Sequence, residues 1–354
     1  MRVAVIGGGV AGLSAAARLA PDAEVSVFEA EAHLGYHASG RSAAMFEENY
    51  GNAAVRALNR ASRADLEHWG VLSPRGFMMV ALEADLPVFE ADLADMAMSE
   101  IDVSDARRRV PILSDGIARA ALHEGAQDID TGRLLDIFAR LVTDAGGRLV
   151  RDARVSAISR SNGGWKLEAG EAAYRADVIV NAAGAWADQL AALAGARGVG
   201  LQPYRRSMAR LPAPGGHDVR RWPMLFGPGE TWYAKPDAGA WIVSPAEEDP
   251  VAPMDAWADD MVLAEGLARY EAHVSEPVVR VETNWAGLRT FAPDRTLVIG
   301  PDPKLDGFFW MAGQGGYGFQ TAPAASGLLA DLVMSRKPVL PDSAVSALSP
   351  CRFA

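Results

Sequence analysis

One cysteine, Cys351, stands in 354 residues. No disulfide can close within the chain and no cysteine cluster can hold a metal, which fits a reducing compartment such as the cytoplasm. Cations are also short, with 34 Lys and Arg against 45 Asp and Glu and a net charge of -11. A nucleic-acid interface needs a basic face, so nucleic acid is not an expected partner. The same deficit disfavours docking on an anionic bilayer, which leaves peripheral contact with the inner membrane as the weaker alternative. Long apolar runs are missing too. Arg2 followed by Val3 to Ala20 imitates a secretory leader. No other stretch approaches the roughly 18 apolar residues of a membrane span. Repeats and low-complexity segments are absent.

Glycine, by contrast, is abundant, at 35 residues. Val3 to Ile6 reads as a short buried strand, Gly7-x-Gly9-x-x-Gly12 as a turn, and Leu13 to Leu19 as an Ala-rich helix. Val25 to Phe28 is a second strand, ending at Glu29. Gly7 permits the tight turn, Gly9 lets a pyrophosphate approach the backbone, and Gly12 lets the helix pack on the strand. The helix N-terminus that follows the turn then faces phosphate charge with free N–H groups. Glu29 lies 17 residues past Gly12, near the spacing of an acid that binds ribose hydroxyls. A bare glycine-rich turn would be weak evidence. Strand, turn, helix, strand and acid in this order predict a dinucleotide-binding start, and they argue against a cleaved leader, whose loss would remove the first strand.

Two later segments share that small-residue character. The stretch His37-Ala38-Ser39-Gly40-Arg41-Ser42-Ala43-Ala44 offers hydroxyls, a glycine and a guanidinium to a pyrophosphate; otherwise it is a polar surface loop. Gly313-Gln314-Gly315-Gly316-Tyr317-Gly318 carries four glycines in six positions before a helix. Such a backbone lies flat against a planar ligand, and the helix start favours negative charge.

The chain is too long for one simple core, so two packed domains are expected. The predicted fold is α/β (α+β two-domain): a Rossmann-like dinucleotide-binding domain, which the resemblance below makes FAD-binding, with an inserted antiparallel-sheet substrate domain. Residues 1–51, 131–200 and 285–340 form the first unit, 52–130 and 201–284 the second, and 341–354 a C-terminal tail. Thr131 is placed as the cap of a helix bearing Leu134, Leu135, Ile137, Phe138, Leu141 and Val142.

With these segments in view, a resemblance emerges. It is carried by Gly35-Tyr36-His37 through Ala44, Leu72-Ser73-Pro74-Arg75, Asp128-Ile129-Asp130-Thr131, Val180 to Trp186, Arg205-Arg206-Ser207, Lys235 to Gly239, Trp285 to Arg289 and Gln314 to Gly318. The sequence resembles the D-amino acid oxidase superfamily of flavoproteins, and within it the bacterial D-arginine and D-amino acid dehydrogenases. That likeness implies FAD, held by Gly7, Gly9, Val10, Ala11, Gly12, Glu29, Ala30, Ser39, Gly40, Arg41, Ser42, Ala43, Ala44, Val155, Ala183, Gly184, Gln314, Gly315, Gly316, Tyr317, Gly318 and Gln320. Non-covalent binding is expected, because Cys351 lies far beyond the C-terminal glycine-rich segment.

The likeness also makes Arg206 and Arg289 the guanidinium groups for a substrate carboxylate, with Tyr50 and Tyr233 lining the site. An Arg fork suits a carboxylate bidentately. Met45, Phe46, Glu47, Phe77, Gly316 and Tyr317 are the expected pocket. Here the chain departs from the D-arginine dehydrogenases. Phe77 stands where they place an acid, and Met45 where they have a histidine. Apolar walls favour uncharged, bulky side chains, although Glu47 or Glu48 could meet a cation if the loop turned inward. The expected reaction is oxidative deamination of a D-amino acid by hydride transfer to the flavin, with oxygen or a quinone as electron acceptor. Secondary-amine oxidation, 2-hydroxy-acid oxidation and a non-catalytic flavin-binding role are the alternatives.

Overall fold

A computed structural model describes residues 1–161 and 163–354. Its first sheet is built on strand Arg2–Ile6, which pairs in parallel with Glu24–Phe28 and with Val178–Asn181. Arg148–Val150 extends this sheet on one side; Phe308–Ala312 and then antiparallel Val298–Pro301 extend it on the other. Both faces are covered, which explains the continuous apolar runs. Val3, Val5, Val25 and Val27 pack on helices Val10–Leu19, Thr131–Asp144 and Gly318–Val333. Ala4, Ile6 and Phe28 pack oppositely, on Trp165 and Leu167 of a three-stranded antiparallel sheet spanning 155–176.

Strands from 77–123 and 202–250 combine in one large sheet. Thr283–Phe291 joins it along Gln202–Leu211. The sheet is antiparallel except where Met224–Phe226 runs parallel to Phe77–Ala81. One strand expected in the nucleotide unit, 285–291, thus belongs to the antiparallel sheet. Conversely, helix Ala53–His68, expected in the second unit, buries Ala54, Val55, Leu58 and Leu66 in the nucleotide-unit core. An apolar stripe says that a face is buried, not which neighbour covers it. The expected tail is also packed, since Leu348 is fully buried. The cap of Thr131–Asp144 is Asp130 rather than Thr131: its carboxylate accepts from Arg133 N at 2.9 Å. Among the described residues, no helix is long and apolar enough to cross a membrane.

Candidate functional site

A cavity of about 520 Å³ lies between the nucleotide unit and the large sheet, within the size range of ligand pockets. One end is built by the glycine turn. Gly7 has φ +113°, and a Cβ there would stand 2.3 Å from the Ala182 carbonyl oxygen, so only glycine fits. A Cβ on Gly12 would stand 1.8 Å from the Gly7 oxygen; this glycine packs helix on strand and stays out of the cavity lining. The Glu29 carboxylate accepts from Gly8 N at 2.7 Å and Glu31 N at 2.8 Å, which fixes it on the cavity wall. Gly8 and Glu31 were not singled out from sequence; the unbroken Gly7-Gly8-Gly9 run was the signal for the first. Ser39 Oγ accepts from Val10 N at 3.0 Å at the start of helix Val10–Leu19, and Gly9 at its N-cap supplies no side-chain cap.

The wall continues through Ala30, Ser42, Ala43, Ala44, Val155, Ala183, Gly184, Gln314, Gly315, Gly316, Gly318 and Gln320. Most are small, which leaves a slot that β-branched or aromatic residues would fill. Gln314 Oε1 and Gln320 Nε2 are buried without a partner. An amide pair orphaned in a slot next to a helix start fits the polar edge of a flat, electron-accepting ring. The polar groups present therefore fit FAD: the glycine turn and the Glu29 acceptor at the nucleotide end, the Gln314 acceptor, the Gln320 donor and the 313–318 backbone at the ring end.

Some expected ligands face elsewhere. Gly40 closes a local turn, donating to the Gly35 carbonyl at 2.6 Å, and is not in the lining. Arg41 is part of the cavity lining, but its guanidinium is already engaged. It bonds Ala256 O at 2.8 Å, Ala286 O at 3.0 Å and the Asp255 carboxylate at 2.5 Å. Phe46 was expected in the pocket; it is fully buried in the nucleotide-unit core, under the Arg63 guanidinium. Alternation along a strand sends Met45 and Phe46 to opposite sides, and Met45 takes the cavity. Tyr317 lies behind the wall. Its ring packs on Tyr50 with centroids 5.2 Å apart and on Phe291 at 6.1 Å.

The other end of the cavity holds Tyr50, Arg206, Tyr233 and Arg289. Register brings the two guanidinium groups together. Tyr204 pairs with Arg289 and Arg206 with Gly287, so both arginines sit on one face of adjacent strands, as diagonal neighbours. Arg206 is 4% exposed. Its Nε donates to Glu247 O at 3.0 Å and one terminal nitrogen to Glu248 at 3.2 Å, while the other terminal nitrogen is buried and unsatisfied. Arg289 rests on Gly316, where a Cβ would stand 3.1 Å from its Cζ. No hydrogen-bond partner holds this guanidinium among the described residues. Burial opposes its charge, but Tyr50, Tyr233, Glu230 and Glu248 outweigh that and keep its pKa above the ordinary range. The site therefore presents two cationic forks with open donor positions.

Glu230 is a residue the sequence reading missed. It lines the cavity and accepts from the Tyr50 hydroxyl at 3.1 Å. Burial, then the Glu230 carboxylate, push the Tyr50 phenol well above its usual range, so it remains a donor. Glu230 lies outside every motif, and only its backbone φ of +51° marks it in the fold. Glu47 reaches the cavity but is already engaged: Oε1 accepts from Asn49 N at 2.9 Å and Oε2 lies 2.5 Å from His123 Nδ1. Glu48 is paired with Arg63 and Arg60, away from the cavity. The remaining wall is apolar. Phe77 stacks on Phe226 at 4.1 Å, and Met45, Met208 and Met224 complete it. Tyr233 donates weakly to Met208 Sδ at 3.4 Å.

Comparison with known proteins places this geometry. A family model described as FAD dependent oxidoreductase matches residues 2–332. Glycine oxidase of Pseudomonas aeruginosa is 28% identical over 69% of this chain and 66% of its own. Glycine oxidase of Pseudomonas putida is 23% identical over 96% of both chains. The solved structure of glycine oxidase from Geobacillus kaustophilus superposes with a TM-score of 0.84 at 22% identity, covering 98% of each chain.

Proposed function

Because this chain belongs to the FAD dependent oxidoreductase family, we propose that it oxidises the α-carbon–nitrogen bond of D-amino acids with uncharged, bulky side chains. The observation that carries this reading is the pairing of an unpartnered Arg289 guanidinium with the Phe77–Phe226 wall. A guanidinium whose charge is favoured by its neighbours but whose donors are left open toward a cavity suits an anionic ligand.

In this reading the substrate carboxylate lies between Arg289 and the free terminal nitrogen of Arg206. Each charge-assisted bond contributes about 1.5–3 kcal/mol, and two of them fix the α-carbon's direction. Tyr233 borders the carboxylate, and the side chain rests on Phe77, Phe226 and the methionines. Tyr50 keeps its proton and, tied to Glu230, forms one side of the site. FAD, held by the glycine turn, Glu29 and the 313–318 backbone, would supply the two-electron acceptor for the α-carbon's hydride. The amine enters neutral so that its lone pair assists, and the imino acid released is hydrolysed by water to the 2-oxo acid and ammonia. The orienting groups are those named; no side chain is assigned as a base.

The test is anaerobic mixing of the holoprotein with D- and L-amino acids, N-methyl amino acids and 2-hydroxy acids, following the flavin band near about 450 nm. Rapid bleaching by D-phenylalanine, D-leucine or D-methionine, with little from their L-forms, is the expected result. A best kcat/KM with D-arginine would replace the apolar reading with one in which Glu230 meets the cation. Bleaching by glycine or N-methyl amino acids alone would replace the substrate class.

A further inference from the structure

Arg41 is engaged by a segment of the other unit. Residues 251–259 form an irregular strap between strand Asp249–Pro250 and helix Asp260–Glu271. Both ends are anchored. Val251 N donates to Pro203 O at 3.0 Å, and the Asp259 carboxylate caps the helix through Met261 N at 3.0 Å. The middle crosses to the nucleotide unit and touches two walls of the cavity. Ala256 joins Ala185, Ala286 and Leu288 in a small apolar cluster against which Trp186 packs on one wall. Against the other, Ala256 O and the Asp255 carboxylate take the Arg41 guanidinium. Asp255 also lies 3.8 Å from His37 Nδ1 and accepts from the Tyr36 hydroxyl at 3.5 Å. Arg41 in turn lies 5.3 Å from the Tyr36 ring, and its own carbonyl accepts from Trp285 Nε1 at 3.1 Å. The strap therefore grips the outer side of the loop whose inner side, Tyr36 to Ser39, lines the nucleotide end of the cavity.

We infer that the 251–259 strap is a clasp that retains FAD, with Arg41 and Asp255 as its closure. Neither group needs to touch the cofactor. The contact holds the Tyr36–Arg41 loop against Ala185–Trp186, and cofactor release requires those walls to part. The inference rests on FAD as cofactor and is independent of the amino-acid substrate.

The experiment measures FAD release from holoprotein by the rise of flavin fluorescence after dilution, with no substrate present. The variants are D255N, R41M and R41K. Asp255 has a side chain 57% exposed, so D255N leaves the core intact. D255N and R41M are expected to speed release by about five- to tenfold, as for a charge-assisted contact with one partner half in water. R41K keeps a charge but loses the fork, so its release rate falls between those of the wild type and R41M. Release from the wild type accelerates between about 20 mM and 500 mM salt, because the contact is screened, and D255N loses that dependence. Wild-type release and salt response in D255N would overturn the clasp. If R41M alone accelerates release, Arg41 acts on the cofactor directly and the clasp is again overturned.

Discussion

Phe77 and Phe226 stack across the substrate end of the cavity, ring centroids 4.1 Å apart and planes 11° from parallel. They come from strands that run parallel within an otherwise antiparallel sheet. Neither ring can pair with a cation through a hydrogen bond, so this contact sets the expected side-chain preference. F77E is predicted to raise kcat/KM for D-arginine relative to D-phenylalanine by about tenfold or more. Replacing a buried ring by a carboxylate also costs about 3 kcal/mol of stability. F77L keeps the apolar wall and retains the wild-type substrate ranking. Steady-state kinetics on both substrates, with chemical denaturation, reads all of this.

Arg289 and Arg206 differ in what the protein gives them. Arg289 has no hydrogen-bond partner among the described residues, while Arg206 is tied to Glu247 and Glu248. Both R289M and R206M are predicted to lower kcat/KM by about ten- to a hundredfold, as loss of a charge-assisted bond implies. Their stabilities should differ in size. R206M removes the bonds to Glu247 O and Glu248, although Glu248 keeps Arg295 at 2.9 Å, and loses about 1 kcal/mol, whereas R289M breaks no hydrogen bond and changes stability less. Urea midpoints of the two variants check the order.

The Tyr50 and Tyr270 hydroxyls are both pushed above the phenol range, first by burial. Folded protein then holds phenolic protons that the unfolded chain releases above about pH 10. Stability is therefore complete below that pH and falls as pH rises beyond it, since the unfolded state binds fewer protons. Y50F and Y270F should each flatten this alkaline decline in thermal melts. The kcat/KM profile of Y50F should keep the wild-type rising limb, because that limb belongs to the substrate amine and not to this phenol.

Glu29 is held by Gly8 and Glu31 N–H groups at the nucleotide end. E29A removes the acid from the wall and is predicted to weaken FAD binding by about tenfold or more, read by fluorescence titration of the apoprotein. The flavin itself should leave quantitatively on acid precipitation. Cys351 is exposed at the chain end, so C351S should retain the wild-type flavin content. Colour remaining in the washed precipitate would contradict the non-covalent reading.

Much of the nucleotide end was legible in the residues. Gly7, Gly9, Gly12 and Glu29 occupy fixed spacings because a strand, a turn and a helix allow one geometry around a pyrophosphate. Local backbone chemistry decides such a site, and local chemistry is written in order along the chain. The apolar character of the other end was also visible, in Met45 and Phe77. What could not be read was which side of the wall each residue takes. Met45 and Phe46 are equivalent as neighbours in sequence, yet strand alternation sends one to the cavity and the other to the core. Tyr317 sits in the glycine-rich motif but packs behind Tyr50.

The sequence by itself determined the class of ligand: small residues where a dinucleotide must approach, and arginines flanked by recognisable segments. Tertiary structure alone decided the partners. Glu230 meets Tyr50 across 180 residues, His123 occupies Glu47 across 76, and Asp255 engages Arg41 across 214. Each pairing depends on how two sheets and a strap are laid against one another. A side chain's charge is a property of its residue, but whether that charge is free for a ligand depends on what the rest of the chain brings within about 3 Å of it.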